Sequence, residues 1–383
     1  MRIGINGRFL LAKQTGVQRA AYNMVATLVK VDRDNEYFLF TGPQELGKDE
    51  WKHPNVTVIP ANIRRDKTLH NMIWEQVTLP RLARQHRVDI LHSPANMAPL
   101  FYKGKSIVHI HDLCFVVNPQ WYSYLFRTWY KFVIPRLARK ATRVVTNSNN
   151  SRNDLLLFCK LPIERVSLVY WAVDNSFHQE IDLASALTRQ RKDYILYVGS
   201  LEPRKNIRIL VEAFELLRKK NPDLKTKLVL IGGESPLFAS VSLTIKEYKD
   251  DIILKGFVNE HTLREYYRNA ELVVYPSLYE GFGLPPLEAM ASGTPVVTSI
   301  TSSIPEVVGT AALTVDPSNV VDLSRAIGSV LRDQELRNKL IVKGFKQVRH
   351  FNWKHVARSI LMTYHHVYSG RNISLEAWMD GNA

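Results

Sequence analysis

The sequence turns on Tyr275 to Ser299, YPSLYEGFGLPPLEAMASGTPVVTS. An apolar run, Leu272 to Tyr275, ends as this stretch begins, and a second, Pro295 to Thr298, starts as it closes. Between them lies the punctuation of a short helix. Gly281 and Gly283 occupy the entry loop, and Pro285 and Pro286 stand where the first turn needs no N–H donor. Gly293 follows the last turn and Pro295 is a stop. The spacing predicts strand, glycine loop and helix start. In an open parallel sheet that junction faces the crevice at the carboxyl ends of the strands, where free first-turn amides attract anions.

Two carboxylates frame the junction. Glu280 precedes the helix and Glu288 lies about one turn inside it, so both can face one crevice, with the amides of Gly281, Phe282, Gly283 and Leu284 between them. Carboxylates accept hydrogen bonds from sugar hydroxyls, and amides at a helix start take phosphate charge. First-turn acids also serve the helix dipole alone, a reading that suits Glu288 taken singly.

The whole pattern, Glu, seven residues, Glu, inside GFGLPPLEAMASGTPVV, resembles the signature of the retaining glycosyltransferases of family four (glycosyltransferase group 1). The resemblance implies the GT-B fold: α/β, two Rossmann-like domains facing across a cleft, with a C-terminal helix that crosses back to the first domain. It places the donor sugar on Glu280 and the nucleotide ribose on Glu288.

The remaining chain fits that outline. At 383 residues it exceeds one ordinary core, and 45% hydrophobic with 23% charged residues suits a globular protein. No apolar run approaches the roughly 20 residues of a membrane span. Residues 1 to 6 read as a strand without a signal-peptide core, so the expected location is the cytoplasm. Cys114 and Cys159 lack metal-ligand spacing, which argues against disulfides and a cysteine-held zinc. Net charge is +15, and residues 1 to 180 hold 25 Lys and Arg against 14 Asp and Glu. That excess favours an anionic partner near the first half: a membrane leaflet, a lipid-linked phosphate or nucleic acid. No nucleic-acid motif accompanies it.

Strand-like runs at Arg2 to Asn6, Glu36 to Thr41, Val56 to Pro60, Val88 to His92, Ser106 to His111 and Val144 to Ser148 alternate with helical patterns, among them Val17 to Lys30 and Thr68 to His86. Thr15 and Gly16 stand at the first helix entrance, a place for an anion. The segment Asp32-Arg33-Asp34 imitates a metal motif but lies in a polar turn, and the expectation is solvated, metal-free side chains. Trp121 to Arg143 interleaves seven aromatics with Arg127, Lys131, Arg136, Arg139, Lys140 and Arg143. That suits a membrane interface, and it equally suits a sheet-covering helix.

A first domain, 1–174, is followed by a linker, 175–193, a second domain, 194–352, and a terminal helix and tail, 353–383. The second domain opens with the strand YILYVGS and the loop LEPRKN, where Arg204 and Lys205 can clamp a diphosphate. GSLEPRKN resembles the family's donor-phosphate loop, which assigns the diphosphate to Arg204 and Lys205. His111, Asp112 and the following Leu113, Cys114 and Phe115 resemble its first-domain active-site loop, which sets His111 near the donor sugar. His92 and His109 carry weaker claims. Gly256 to Val258 resembles the loop that meets the nucleobase.

The implied reaction is metal-independent retaining hexosyl transfer with His111, Glu280, Arg204 and Lys205 as catalytic residues. The motifs look most like bacterial mannosyltransferases and rhamnosyltransferases of polysaccharide (O-antigen) assembly, so GDP-mannose is the first donor and a saccharide or lipid-diphosphate-linked molecule the acceptor. UDP-glucose, UDP-N-acetylglucosamine and rhamnose donors stay open, as does a peripheral place on the inner membrane face. A nucleotide-sugar epimerase or hydrolase and a non-catalytic basic binding protein are the rival classes.

Overall fold

The computed structural model describes residues 1–11, 16–63, 68–177, 182–233 and 247–371. The chain divides into two compact units: 1–113 with 129–172 and 352–383, and 114–128 with 173–351.

The first unit is built on seven strands: β1 Arg2–Asn6, β2 Glu36–Thr41, β3 Val56–Pro60, β4 Ile90–Ser93, β5 Lys105–His109, β6 Arg143–Thr146 and β7 Val166–Leu168. Their order is β3-β2-β1-β4-β5-β6-β7 and every described pairing is parallel. Such strands are covered on both faces, which is why IGIN and YFLF read as continuous rather than alternating apolar runs. The order reverses between β1 and β4, so the crevice beyond their carboxyl ends is the switch point of this sheet.

The last helix, Trp353–Ser369, belongs to this first unit and packs on the helix Gly16–Val31, as the family fold implies. Asn352 caps its start, its side chain accepting from the Lys354 amide at 2.7 Å, and Gly370 ends it at φ +72°. Tyr364 Oη lies 2.7 Å from His92 Nδ1, and Lys105 Nζ donates to the Tyr368 carbonyl at 2.7 Å. Sequence distance is thus closed by one buried and one exposed polar contact as well as by helix packing.

Thr68 to His86 does not form one regular helix. It runs as α-helix Thr68–Ile73, a π turn Trp74–Thr78 and α-helix Leu79–Gln85. Pro80 has no N–H for the carbonyl of residue 76, and the widened turn lies just before it. Asp32 corrects another expectation: it is buried, not solvated. Its carboxylate accepts from Asn35 Nδ2 at 2.7 Å, from the Asp34 amide at 3.0 Å and from the Tyr37 hydroxyl. That is a structural turn, fully used by its own neighbours.

The second unit carries six strands: β8 Lys192–Val198, β9 Lys227–Ile231, β10 Ile252–Gly256, β11 Ala270–Tyr275, β12 Val296–Ser299 and β13 Leu313–Val315. They are parallel in the order β10-β9-β8-β11-β12-β13. Its switch point lies between β8 and β11. Within the stretch read as linker, Leu183–Thr188 is a helix capped by Asp182, and its Ala186 packs on Ile341. Arg191 anchors the same segment by donating to the carbonyls of Gly293, Ala270 and Ala186. Among the described residues no helix is long and apolar enough to cross a membrane. Thr15 and the tail past residue 371 lie outside the described residues.

Candidate functional site

β8 and β11 are the two strands that flank the switch point of the second sheet, and the loops that leave them are stitched together. The Leu278 amide donates to the Arg204 carbonyl at 2.7 Å, and Ser277 Oγ lies 3.0 Å from the same carbonyl. Asn206 holds the β8 loop's exit at φ +57°, a conformation its short amide side chain tolerates, and donates to the carbonyls of Pro276 and Pro317. This stitching brings Arg204 and Lys205 onto Glu280.

Glu280 Oε1 accepts from Lys205 Nζ at 2.6 Å, Ser277 Oγ at 2.6 Å and Tyr275 Oη at 2.8 Å, while Oε2 accepts from Arg204 Nη1 at 2.9 Å. Arg204 Nη2 also pairs with Glu202 Oε1 at 2.7 Å, and Glu202 is fully buried. Burial by itself would raise the Glu280 carboxyl. Lys205 and Arg204 outweigh it and hold the group down at about 2. Burial likewise opposes the charge on Arg204, but Glu280 and Glu202 keep its guanidinium well above the ordinary value. Lys205 is lowered by burial and by Arg204, with Glu280 opposing. Two cations and two carboxylates thus face one another inside the protein, and the pairing outweighs burial at Arg204 and Glu280.

The helix Leu284–Ala291 starts directly after this cluster. Gly283 is its N-cap at φ +113°, and a Cβ there would meet Ile304 Cδ1 at 2.7 Å, so the position demands glycine twice over. No side chain caps the helix start. The entry loop is fixed from outside by Ser302, whose hydroxyl donates to the Glu280 carbonyl at 2.7 Å, and by Ser303, which donates to the Phe282 carbonyl at 2.7 Å. Phe282 packs edge-on against Phe351, with ring centroids 5.7 Å apart. Glu288 is buried on the helix and accepts from Tyr267 Oη at 2.9 Å.

His111, Asp112 and Gly16 belong to the first unit. β5 ends at His109, so His111 lies two residues past the strand and not within it. Its Nε2 is 3.1 Å from the Pro94 carbonyl, its backbone carbonyl accepts from Ser151 Oγ, and its ring sits 4.7 Å from that of Trp171. Burial lowers His111 to about 4. His92 and His109 are also buried and stack at 4.8 Å, and both are lowered by the same cause, His92 to about 3. Gly16 opens the helix Gly16–Val31 and is exposed, and Asp112 is half-buried.

Sequence reasoning missed Glu202, Ser277, Ser302, Ser303 and Tyr267. Glu202 and Ser277 were within reach, being neighbours of residues already singled out. Ser302 and Ser303 arrive from another loop and Tyr267 from another helix, contacts that no local spacing signals.

The Glycosyltransferase Family 4 profile matches residues 14–177, and the Glycosyl transferases group 1 profile matches residues 178–347. The O-antigen chain mannosyltransferase B of Escherichia coli is 28% identical, over 91% of this chain and 96% of its own. Among solved structures, sucrose-phosphate synthase from Thermosynechococcus elongatus superposes with a TM-score of 0.71 at 20% identity, covering 97% of this chain and 100% of that one. Anabaena HepE in complex with UDP-glucose gives 0.67 at 18% identity, covering 95% and 99%. The chain belongs to the group 1, family 4 glycosyltransferases and has their GT-B fold.

Proposed function

We propose that this glycosyltransferase moves mannose from GDP-mannose, with retention of configuration, onto a saccharide carried on a lipid diphosphate during cell-surface polysaccharide assembly. The observation that carries the reading is the ion cluster at the switch point, Glu280 held ionised by Arg204 and Lys205. In this reading the departing nucleoside diphosphate develops charge beside the two cations and the uncapped helix start, which stabilise it without a metal ion. Glu280 meets the donor sugar, Glu288 the ribose, and His111 with Asp112 the sugar from the first unit. The amides of Gly281 to Leu284 take phosphate oxygens, and Gly16 serves the acceptor side. With no dedicated nucleophile in the motifs, the acceptor attacks on the face the diphosphate leaves, and the leaving phosphate removes its proton.

Mannose as donor sugar rests on the similarity to the E. coli O-antigen chain mannosyltransferase B, at 28% identity. A peripheral place on the cytoplasmic membrane face rests on the helix Tyr124–Lys140. There Val133, Ile134, Leu137 and Ala138 are buried, while Leu125, Trp129 and Phe132 are exposed beside Lys131, Arg136, Arg139 and Lys140.

A thermal-shift panel of GDP, UDP, dTDP and ADP at equal concentration tests the donor, because a ligand that binds the native state raises its melting temperature. A GDP-selective shift that disappears in Glu288→Ala supports the reading. A shift with another nucleotide overturns GDP-mannose and keeps the class, and no shift with any favours a non-catalytic binding protein.

A further inference from the structure

Arg204, Lys205 and Glu280 each meet the donor in the proposed reaction, whereas Glu202, the fourth charge of the cluster, is fully buried and has no role in it. Its Oε1 pairs with Arg204 Nη2 at 2.7 Å, and among the described residues no hydrogen-bond donor reaches its other oxygen.

Glu202 leaves a local use untaken. It is the N-cap of the 3₁₀ turn Pro203–Lys205, where an acid ordinarily accepts from first-turn amides, yet its side chain makes no capping bond. Backbone closes the turn instead: the Lys205 amide donates to the Glu202 carbonyl at 3.0 Å, and the Asn206 amide to the Pro203 carbonyl at 3.1 Å. Leu278 and Asn206 tie the same loop to the one that leaves β11. The carboxylate is therefore not what shapes the loop. A buried ion pair seldom gains stability over apolar groups of the same volume, so the charge calls for another account.

What the carboxylate faces is the guanidinium. Arg204 is held on both terminal nitrogens, Nη2 by Glu202 and Nη1 by Glu280 Oε2 at 2.9 Å and the Tyr279 carbonyl at 3.2 Å. With Glu280 alone, the two cations would present one net positive charge to a diphosphate. Glu202 removes it, and it does so beside Arg204, whose side chain keeps 15% of its surface exposed while Glu202 keeps none.

We propose that Glu202 is a positioning residue that acts through Arg204: by opposing the guanidinium charge it keeps the nucleoside diphosphate product bound loosely enough to leave. This rests on Arg204 binding the diphosphate in the transferase reading above, and adds to it what sets the strength of that binding. Charge that attracts donor, transition state and product alike lowers KM without raising kcat, and it slows release.

The test reads affinity against phosphate charge. Wild type, Glu202→Gln, Glu202→Met and Glu202→Asp are titrated by calorimetry with GDP, GMP and guanosine, and dissociation of a fluorescent GDP analogue is followed by stopped flow. Where the panel of GDP, UDP, dTDP and ADP selects another base, the series of that base is used. Gln keeps an oxygen for Arg204 Nη2 and removes only the charge. Met removes both, with Arg204 still held on Nη1. Taking a like charge away from the diphosphate should tighten GDP about tenfold in both neutral variants, through slower dissociation. GMP should tighten less and guanosine not at all, while Glu202→Asp, which keeps the charge, should bind as wild type does. Unchanged or weaker GDP binding by a folded neutral variant makes Glu202 structural and overturns the proposal. So does an equal gain for guanosine, which would mean a reshaped pocket, or an equal gain in Glu202→Asp, which would leave charge out of the effect. Failure of both neutral variants to fold also makes the residue structural. A wild type that binds none of the four nucleoside diphosphates removes the transferase reading itself, and this proposal with it.

Discussion

Lys205 Nζ lies 2.6 Å from Glu280 Oε1, with both side chains only 8% exposed, although the residues are 75 positions apart in sequence. Removing either partner leaves a buried charge short of a counterion. Lys205→Ala is expected to cost about 3 kcal/mol, the low end for a broken buried pair because Arg204 still faces Glu280. Turnover should fall about 100-fold or more in Lys205→Ala and in Arg204→Ala. Urea unfolding and steady-state kinetics read the two effects separately, and normal kcat in both variants would take these cations out of the reaction.

Acid should weaken the protein in two windows. His92, His109 and His111 are buried with folded values below the ordinary one, so the unfolded chain binds protons that the folded chain excludes. Stability is full above the unfolded value of about 6.5 and falls as pH drops below it, by about 1.4 kcal/mol per group at pH 5.5. Glu280 acts lower: its folded value of about 2 contributes stability that is lost as pH falls from the unfolded carboxyl range toward that value. Urea midpoints at pH 7.5 and 5.5 check the first window; equal midpoints would mean that the three imidazoles are not held neutral.

Two glycines with positive φ should respond differently to alanine. At Gly232, φ +140°, an added Cβ would lie 1.9 Å from the Gly199 carbonyl oxygen, whereas at Gly256, φ +63°, it would meet nothing within 4 Å. Gly256→Ala should cost about 1 kcal/mol of backbone strain, and Gly232→Ala should cost more than about 3 kcal/mol or fail to give soluble protein. Melting temperatures of the two variants decide it.

Anionic vesicles should bind the protein in a salt-sensitive way. Exposed Leu125, Trp129 and Phe132 give an apolar stripe, and Arg136 lies over the Phe132 ring at 3.5 Å. Flotation with phosphatidylglycerol vesicles should weaken as salt rises through about 0.5 M and should drop severalfold in Trp129→Ala/Phe132→Ala. Binding that ignores both salt and the substitutions would assign the stripe to another partner.

The helix-and-strand alternation was legible because buried parallel strands need continuous apolar runs, and β2 and β11 fall where those runs do. The junction at 275–299 was legible for a local reason. Prolines, glycines and carboxylates act there through backbone conformation within a few residues of themselves, and the helix Leu284–Ala291 begins right after Gly283. The π turn was not, since the periodicity of Thr68 to His86 is satisfied by a regular helix and only the conflict with Pro80 widens it. Asp32 looked solvated because polar neighbours in sequence suggest water, while in the fold Tyr37 and Asn35 close over it. The outward aromatics of Tyr124–Lys140 were ambiguous for a related reason: periodicity separates two helix faces but does not say which one finds a partner.

By itself the sequence determined the architecture, the family and the identity of the charged residues at the second switch point. These follow from local backbone rules and from hydrophobic periodicity, which depend on neighbours within a turn or a strand. Only the tertiary structure decided what those charges face. That Arg204 and Lys205 converge on Glu280, that Glu202 neutralises Arg204, and that Arg8 meets Glu75 are consequences of strand order. Placing β8 beside β11 and β1 beside β4 brings loops together across long stretches of sequence, and electrostatic pairing depends on distance in space, which no spacing along the chain records.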